Sequence, residues 1–210
     1  MPRGALIVAL DFTACQEDEF NDWYDLEHLP ERQRIAGFGV CERWINIANP
    51  KIGAATYDLD SADILSGAVY KAISGDNLSV WSKRLGAKYK RLLRCDGDQT
   101  NPGDLPAPAG AGGLLINAMN IAPEHQADFN AWYDQEHLPA LRAVPGAIMA
   151  RRFQSRAGTH RFIAMYHLTS PEVVLSDAWK TAVNTPWTAR VRPTYQEHFR
   201  VVLRPYKRGA

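Results

Sequence analysis

The sequence predicts an α+β fold: two βαββαβ units in tandem, packed as a pseudo-two-fold barrel of two sheets with the helices outside. Three observations lead there. They are an internal repeat, a Pro/Gly/Ala-rich stretch between its copies, and strand-like and helix-like segments recurring in one order in each copy. Shifted so that Gly4 falls on Gly113, the chain matches itself without a gap from Gly4–Arg94 to Gly113–Leu203, with 22 identities in 91 pairs. Ordinary composition, at roughly 6% matches, would give about 5. Eight identities crowd one short segment, where Asn21, Trp23, Tyr24, Asp25, Glu27, His28, Leu29 and Pro30 meet Asn130, Trp132, Tyr133, Asp134, Glu136, His137, Leu138 and Pro139. Gly37, Arg43, Tyr57, Leu59 and Ser61 also recur, as Gly146, Arg152, Tyr166, Leu168 and Ser170. The units span 1–95 and 113–210. Between them, 96–112 has linker composition and an extended reach of up to about 55 Å.

The first strand is apolar Ala5–Phe12, repeated as Leu114–Ile121. A helix follows from near Gln16 to near Pro30 or shortly after, with Glu17, Asp18 and Glu19 in its first turn, where they favour the helix dipole. Phe38–Ile47 and Ala54–Asp60 read as strands, as do Ile148–Gln154 and Arg161–Leu168. Asp63–Ser74 and Val173–Val183 read as the second helix, opened by Ser-x-Asp and Ser-Pro-Glu starts, and a further helical turn follows. Tyr89–Cys95 and His198–Arg204 close the units. This is the order of the ferredoxin-like split βαβ motif. A four-stranded sheet with both helices on one face leaves the other bare, and the second copy is its natural cover.

Bulk properties narrow the function. Formal charge is +1, which gives no electrostatic case for nucleic acid. The run Leu6–Leu10 is too short to span a membrane or to act as a signal peptide. Cys15, Cys41 and Cys95, odd in number and widely spaced, fit neither a disulfide framework nor a zinc motif. A cytoplasmic protein with reduced thiols is expected.

A helical wheel of about 100° per residue places Phe20, Trp23, Tyr24, Glu27 and His28 on one arc of about 140°, with Asp22 and Leu26 opposite. The aromatic face thus carries a glutamate and a histidine inward. Burying a carboxylate without a partner is costly, so Glu27 is either paired or faces a pocket. Asp25 stands three residues before His28 and is the expected orienting partner, raising the imidazole's pKa and equipping it for proton transfer. The alternative is that Glu27 pairs with Arg43 and His28 only caps the helix end.

The run Phe-Asn-x-Trp-Tyr-Asp-x-Glu-His-Leu-Pro, followed by Gly37-Phe38 or Pro145-Gly146, resembles the EthD-like branch of the dimeric α+β barrel superfamily. That superfamily holds cofactor-free monooxygenases, lactone isomerases, polyketide cyclases, dehydratases and haem enzymes, usually as single units that dimerise. The resemblance implies the fold of both halves, matches the family's helix histidine to His28 and His137, and matches its aromatics to Trp23, Tyr24, Trp132 and Tyr133.

Competing signals carry less. Lys83–Arg94 holds six basic residues and reads as a solvated helix end and edge strand. Its functional version is a one-sided site for an anionic substrate tail. The third strands lack the signature of RNA-binding domains with this element order. Glu27 and His28 point about 100° apart and chelate one ion poorly, so no metal is expected, and nothing singles out a haem ligand among six histidines.

The expectation is a cofactor-independent enzyme of isomerase, dehydratase, cyclase or other lyase type, acting on a small hydrophobic or aromatic compound. His28 and His137 are its acid/base groups, with Asp25 and Asp134 orienting them. Glu27 and Glu136 are second proton carriers or anchors for Arg43 and Arg152. Trp23, Tyr24, Trp132, Tyr133, Arg43 and Arg152 bind substrate. No nucleic acid, membrane or cofactor partner is expected, and a homodimer of the fused unit remains open. A non-catalytic binding or accessory protein would use the same pocket, and an assembly subunit would have none.

Overall fold

Gly4–Asp11 (β1) is apolar on both faces because both are covered. Ala5, Ile7 and Ala9 pack inward with Ile116, Ala118, Met165 and Leu203 of the second half. Leu6 and Leu10 pack outward on Phe20, Trp23 and Tyr24. The computed structural model describes residues 2–208.

After β1 come Glu17–Trp23 (α1), a π-helical turn Tyr24–His28, Leu29–Gln33 (α2), Phe38–Asn46 (β2), Ile52–Leu59 (β3), Ala68–Lys71 (α3), Val80–Gly86 (α4) and Lys90–Asn101 (β4). The second half repeats the order with Gly113–Ile121 (β5), Gln126–Trp132 (α5), a π turn Tyr133–His137, Leu138–Arg142 (α6), Ala147–Gly158 (β6), Phe162–Leu168 (β7), Asp177–Val183 (α7), Pro186–Val191 (α8) and Tyr195–Pro205 (β8). All strand pairs are antiparallel, and the eight strands close into a barrel in the order β1-β3-β2-β8-β5-β7-β6-β4. Each half supplies four neighbouring strands. The halves join along β2–β8, where Trp44, Ile45 and Asn46 face Pro205, Arg204 and Leu203, and along β4–β6.

Three apolar layers result: the barrel interior and one helix–sheet layer on each outer side. The interior is mainly apolar, with the Trp44 indole donating to Thr56 at 3.0 Å, and it carries a charged cluster at one end. There Asp58, 3% exposed, accepts from the guanidinium of Arg151, from Arg3 at 3.2 Å and from the Ala107 N–H at 3.1 Å. Among the described residues, no helix is long and apolar enough to cross a membrane.

Four features depart from expectation. The first helix runs to Gln33 but not as a regular α-helix, because it widens into a π turn just ahead of the proline. The second helix is interrupted: Ala62–Ser66 and Pro171–Leu175 are 3₁₀ turns, and α3 and α7 start beyond them. Residues 96–101, assigned by composition to the linker, continue β4. The remaining connection is docked over the barrel end, where the Leu105 carbonyl accepts from Gln99 at 3.1 Å and Ala111 joins the interior.

The fourth is a slip in the repeat. Strand register places Arg94 opposite Val8 and Arg200 opposite Asn117. Val8 and Asn117 are counterparts, so Arg94 answers to Arg200, not to Leu203 as the gapless match has it. The 3₁₀ turn Gly75–Asn77 has no equivalent in the second half. Beyond that turn the two copies run out of step.

Candidate active site

Pro30 lacks an N–H, and in a regular helix its ring would press on the carbonyl four residues back. The helix answers by widening, so that the Leu29 N–H bonds the Tyr24 carbonyl, and Leu138 does the same to Tyr133. Such insertions re-aim side chains, and here the turn spans the part of the motif holding the tyrosine, aspartate, glutamate and histidine.

Asn21 and Asp25, one α-helical turn apart, both receive Arg43 of β2, at 2.7 and 2.6 Å. The guanidinium lies over the Tyr24 ring, 4.5 Å from its centroid. Asn130, Asp134, Arg152 and Tyr133 repeat this at 2.8, 3.3 and 4.2 Å. The arrangement clamps helix to sheet edge. It takes Asp25 and Asp134 away from the histidines, and leaves Arg43 and Arg152 outside both histidine cavities.

Glu27 pairs with no arginine. It accepts from Ser79 Oγ at 2.5 Å and Ser82 Oγ at 3.1 Å, and Ser82 Oγ in turn accepts from the Trp23 indole at 2.9 Å. In the second half Thr185 donates to Glu136, and Thr188 accepts from the Trp132 indole at 3.1 Å. Each glutamate is tied to the start of α4 or α8. Neither role expected for it, proton carrier or arginine anchor, is what the contacts show.

The histidines do reach hollows. His28 is half-buried, its ring 4.2 Å from that of Trp23, and it lines a cavity of about 380 Å³ with Arg32, Tyr57, Tyr70, Tyr89 and Arg94. His137, 6% exposed and 4.1 Å from Trp132, lines a cavity of about 410 Å³ with Asn117, Tyr166, Trp179, Arg192 and Arg200. Tyr24 also lines the first cavity; Tyr133 does not line the second. Both volumes suit a small ligand.

Nδ1 of each histidine is buried without a hydrogen-bond partner among the described residues, as are the hydroxyls of Tyr57, Tyr133 and Tyr166. Buried polar atoms are normally satisfied, so those that line a cavity, Nδ1 of the two histidines and the hydroxyls of Tyr57 and Tyr166, mark where a ligand's polar groups belong. Burial, then Arg32, Arg43 and Arg94, hold His28 well below the ordinary imidazole range. Burial, then Arg192 and Arg152, lower His137 to about 3. The expected rise from a neighbouring aspartate is thus reversed, because the aspartates are elsewhere engaged and the nearby charges are cationic. At neutral pH both imidazoles are uncharged.

Ser79, Ser82, Thr185, Thr188, Arg192 and Arg200 were not singled out from the sequence. A three-residue gap at Gly75–Asn77 aligns Ser79 with Thr185, Ser82 with Thr188 and Tyr89 with Tyr195, and would have exposed them.

No family model matches the chain, and no curated protein matches it. Solved structures do. An anthrone oxidase-like protein shares 11% identity at a TM-score of 0.65, over 97% of this chain and 92% of its own. A candidate chlorite dismutase shares 10% at 0.68, over 99% and 96%. A candidate monooxygenase from Fusobacterium nucleatum subsp. nucleatum shares 8% at 0.62, over 98% and 93%. At such identities the likeness is one of architecture, and with the closed order of strands it shows that the chain has the ferredoxin-like dimeric α+β barrel fold.

Proposed function

We propose that the protein is a small-molecule enzyme that removes a proton from a hydrophobic, aromatic or polyketide-like compound, without a cofactor, at His137 and in parallel at His28. One paired observation carries this reading. In both halves the motif histidine lines an aromatic-walled cavity and keeps a buried Nδ1 free of protein partners. A neutral imidazole accepts a proton from an activated C–H or O–H, and cationic groups beside it stabilise the enolate or phenolate that forms. Once protonated, it returns the proton at another atom, which is the common core of isomerisation, dehydration and cyclisation. The similar folds of anthrone oxidase-like and monooxygenase-like proteins favour a flat phenolic or polyketide substrate. No role in proton transfer is given to Asp25, Asp134, Glu27 or Glu136.

The test is turnover of anthrone and related aromatic polyketides, followed by absorbance. His137→Ala is expected to remove the C-terminal cavity's share of turnover and leave that of His28, and the His28→Ala/His137→Ala double variant to lower kcat by about 10²–10⁴. Unchanged turnover in a double variant with unchanged circular dichroism would end the proposal. The depressed pKa of both histidines favours a second reading, a non-catalytic binding protein, because an imidazole near 3 is a weak base until a ligand's negative charge raises it. That reading expects tight binding with no product from any bound compound.

A further inference from the structure

We propose that the C-terminal cavity is built for a flat aromatic anion, its ring set against Trp132, Tyr166 and Trp179 and its charge held at the mouth by Arg192 and Arg200. The inference rests on the reading of this cavity as a small-molecule site. It goes further in naming the charge of the ligand and in choosing between the two halves.

On β4, Arg94 faces Val8 and Asp96 faces Leu6. Arg94 and Asp96 pair at 2.8 Å and Arg32 and Glu31 at 3.0 Å, so two of the three arginines that line the N-terminal cavity have carboxylate partners. On β8 the corresponding positions are Arg200, facing Asn117, and Val202, facing Leu115. The arginine is kept and its carboxylate has become a valine. Eight residues before each of these arginines, counting from the helix caps Ser79 and Thr185, the second half carries Arg192 where the first has Gly86. The C-terminal cavity has therefore lost the acid and gained Arg192, while Leu141 stands where the first cavity has Arg32.

No acidic residue lines it. Among the described residues, neither Arg192 nor Arg200 has a carboxylate within ion-pair distance. Burial, then the charge of Arg192, lower the pKa of Arg200. Beneath them lie the buried, unpartnered Nδ1 of His137 and the Tyr166 hydroxyl. A planar ring carrying a carboxylate or an enolate oxygen answers these features, since it offers a face to the aromatics, an acceptor to the Tyr166 hydroxyl and a charge to the guanidinium pair.

Calorimetric titration of the full chain with 2-naphthoate, its methyl ester and inorganic phosphate tests this. Naphthoate is expected to bind at least tenfold tighter than the ester and tighter than phosphate, and to weaken with added salt. Arg200→Gln and Arg192→Gln should each erase most of that preference. Val202→Asp, which supplies the carboxylate found in the other half, should erase it while sparing the ester. Arg94→Gln should leave it intact. Equal binding of acid and ester overturns the anion inference and leaves the cavity reading standing. Phosphate binding as tightly as naphthoate also overturns it, since the aromatic floor would then contribute nothing. If neither naphthoate nor ester binds, both the inference and the reading beneath it fall.

Discussion

His137 illustrates how environment decides what one side chain does. Its imidazole is folded against Trp132 in a cavity flanked by arginines, and its pKa falls from 6.5 to about 3. The unfolded chain therefore takes up a proton at this residue as pH drops below about 6.5, and the folded chain does not until about 3. The stability linked to the neutral form is complete above the unfolded pKa and is lost on acidification through that window, at about 1.4 kcal/mol per pH unit. His167, also lowered to about 3 by burial and Arg151, acts in the same direction. Denaturant titrations of His137→Asn at pH 6 and pH 4 should show the slope of unfolding free energy against pH reduced by about one proton; an unaltered slope would mean that the imidazole is well solvated in the folded state. The sequence showed that this histidine would face inward. It did not show the sign of the shift, because that depends on arginines from elements far along the chain and on an aspartate already committed to Arg152.

The motif helix shows what a periodic reading captures and where it breaks. Phe20, Trp23 and Tyr24 precede or open the π turn and lie inward, as a wheel of 3.6 residues per turn requires. Asp25 and Glu27 lie within the turn, and their partners are not those a regular helix implies. The signal was present in Pro30 and Pro139, which sit where an uninterrupted helix would need an N–H. At the far end of the element, Gly37 and Gly146 adopt φ of +88° and +91°, turning the chain from helix into β2 and β6. A side chain there meets both backbone strain and a neighbour, since a Cβ at Gly37 would stand 2.4 Å from Ile64 Cδ1. Gly37→Ala is expected to cost about 1–3 kcal/mol, read as a lower thermal midpoint. No change would mean that the turn can relax into ordinary φ. The recurrence of this glycine was visible at once. The positions of α4 and α8 were not, because Gly75–Asn77 puts the two copies out of step just before them.

At the scale of the molecule, the barrel was legible because β1 and β5 are apolar on both faces, and a strand so built needs cover on both. What could not be read was which polar groups the closed interior would admit. Asp58 from the first half and Arg151 from the second meet there, 3% and 1% exposed, and the interdomain connection joins them through the Ala107 N–H. Removing one partner strands the other charge, and Asp58→Asn is expected to lose about 3–5 kcal/mol in denaturant unfolding. Adding Arg151→Met should restore much of it, since the stranded guanidinium is then gone from the interior. A double variant no more stable than the single would show that the pair contributes more than mutual compensation.

That ion pair depends on both halves being one polypeptide. Identical subunits around a two-fold axis form an isologous contact, in which whatever faces residue i in one copy is repeated in the other. The repeat that sets Gly4 on Gly113 also sets Glu42 on Arg151 and Asp58 on His167. Two copies of the first half would bring Glu42 to the place of Arg151, and acid would confront acid in a dry interior. Covalent continuity lifts that self-complementarity rule: each side of the axis can evolve against a different opposite number, and a change in one is no longer imposed on its twin.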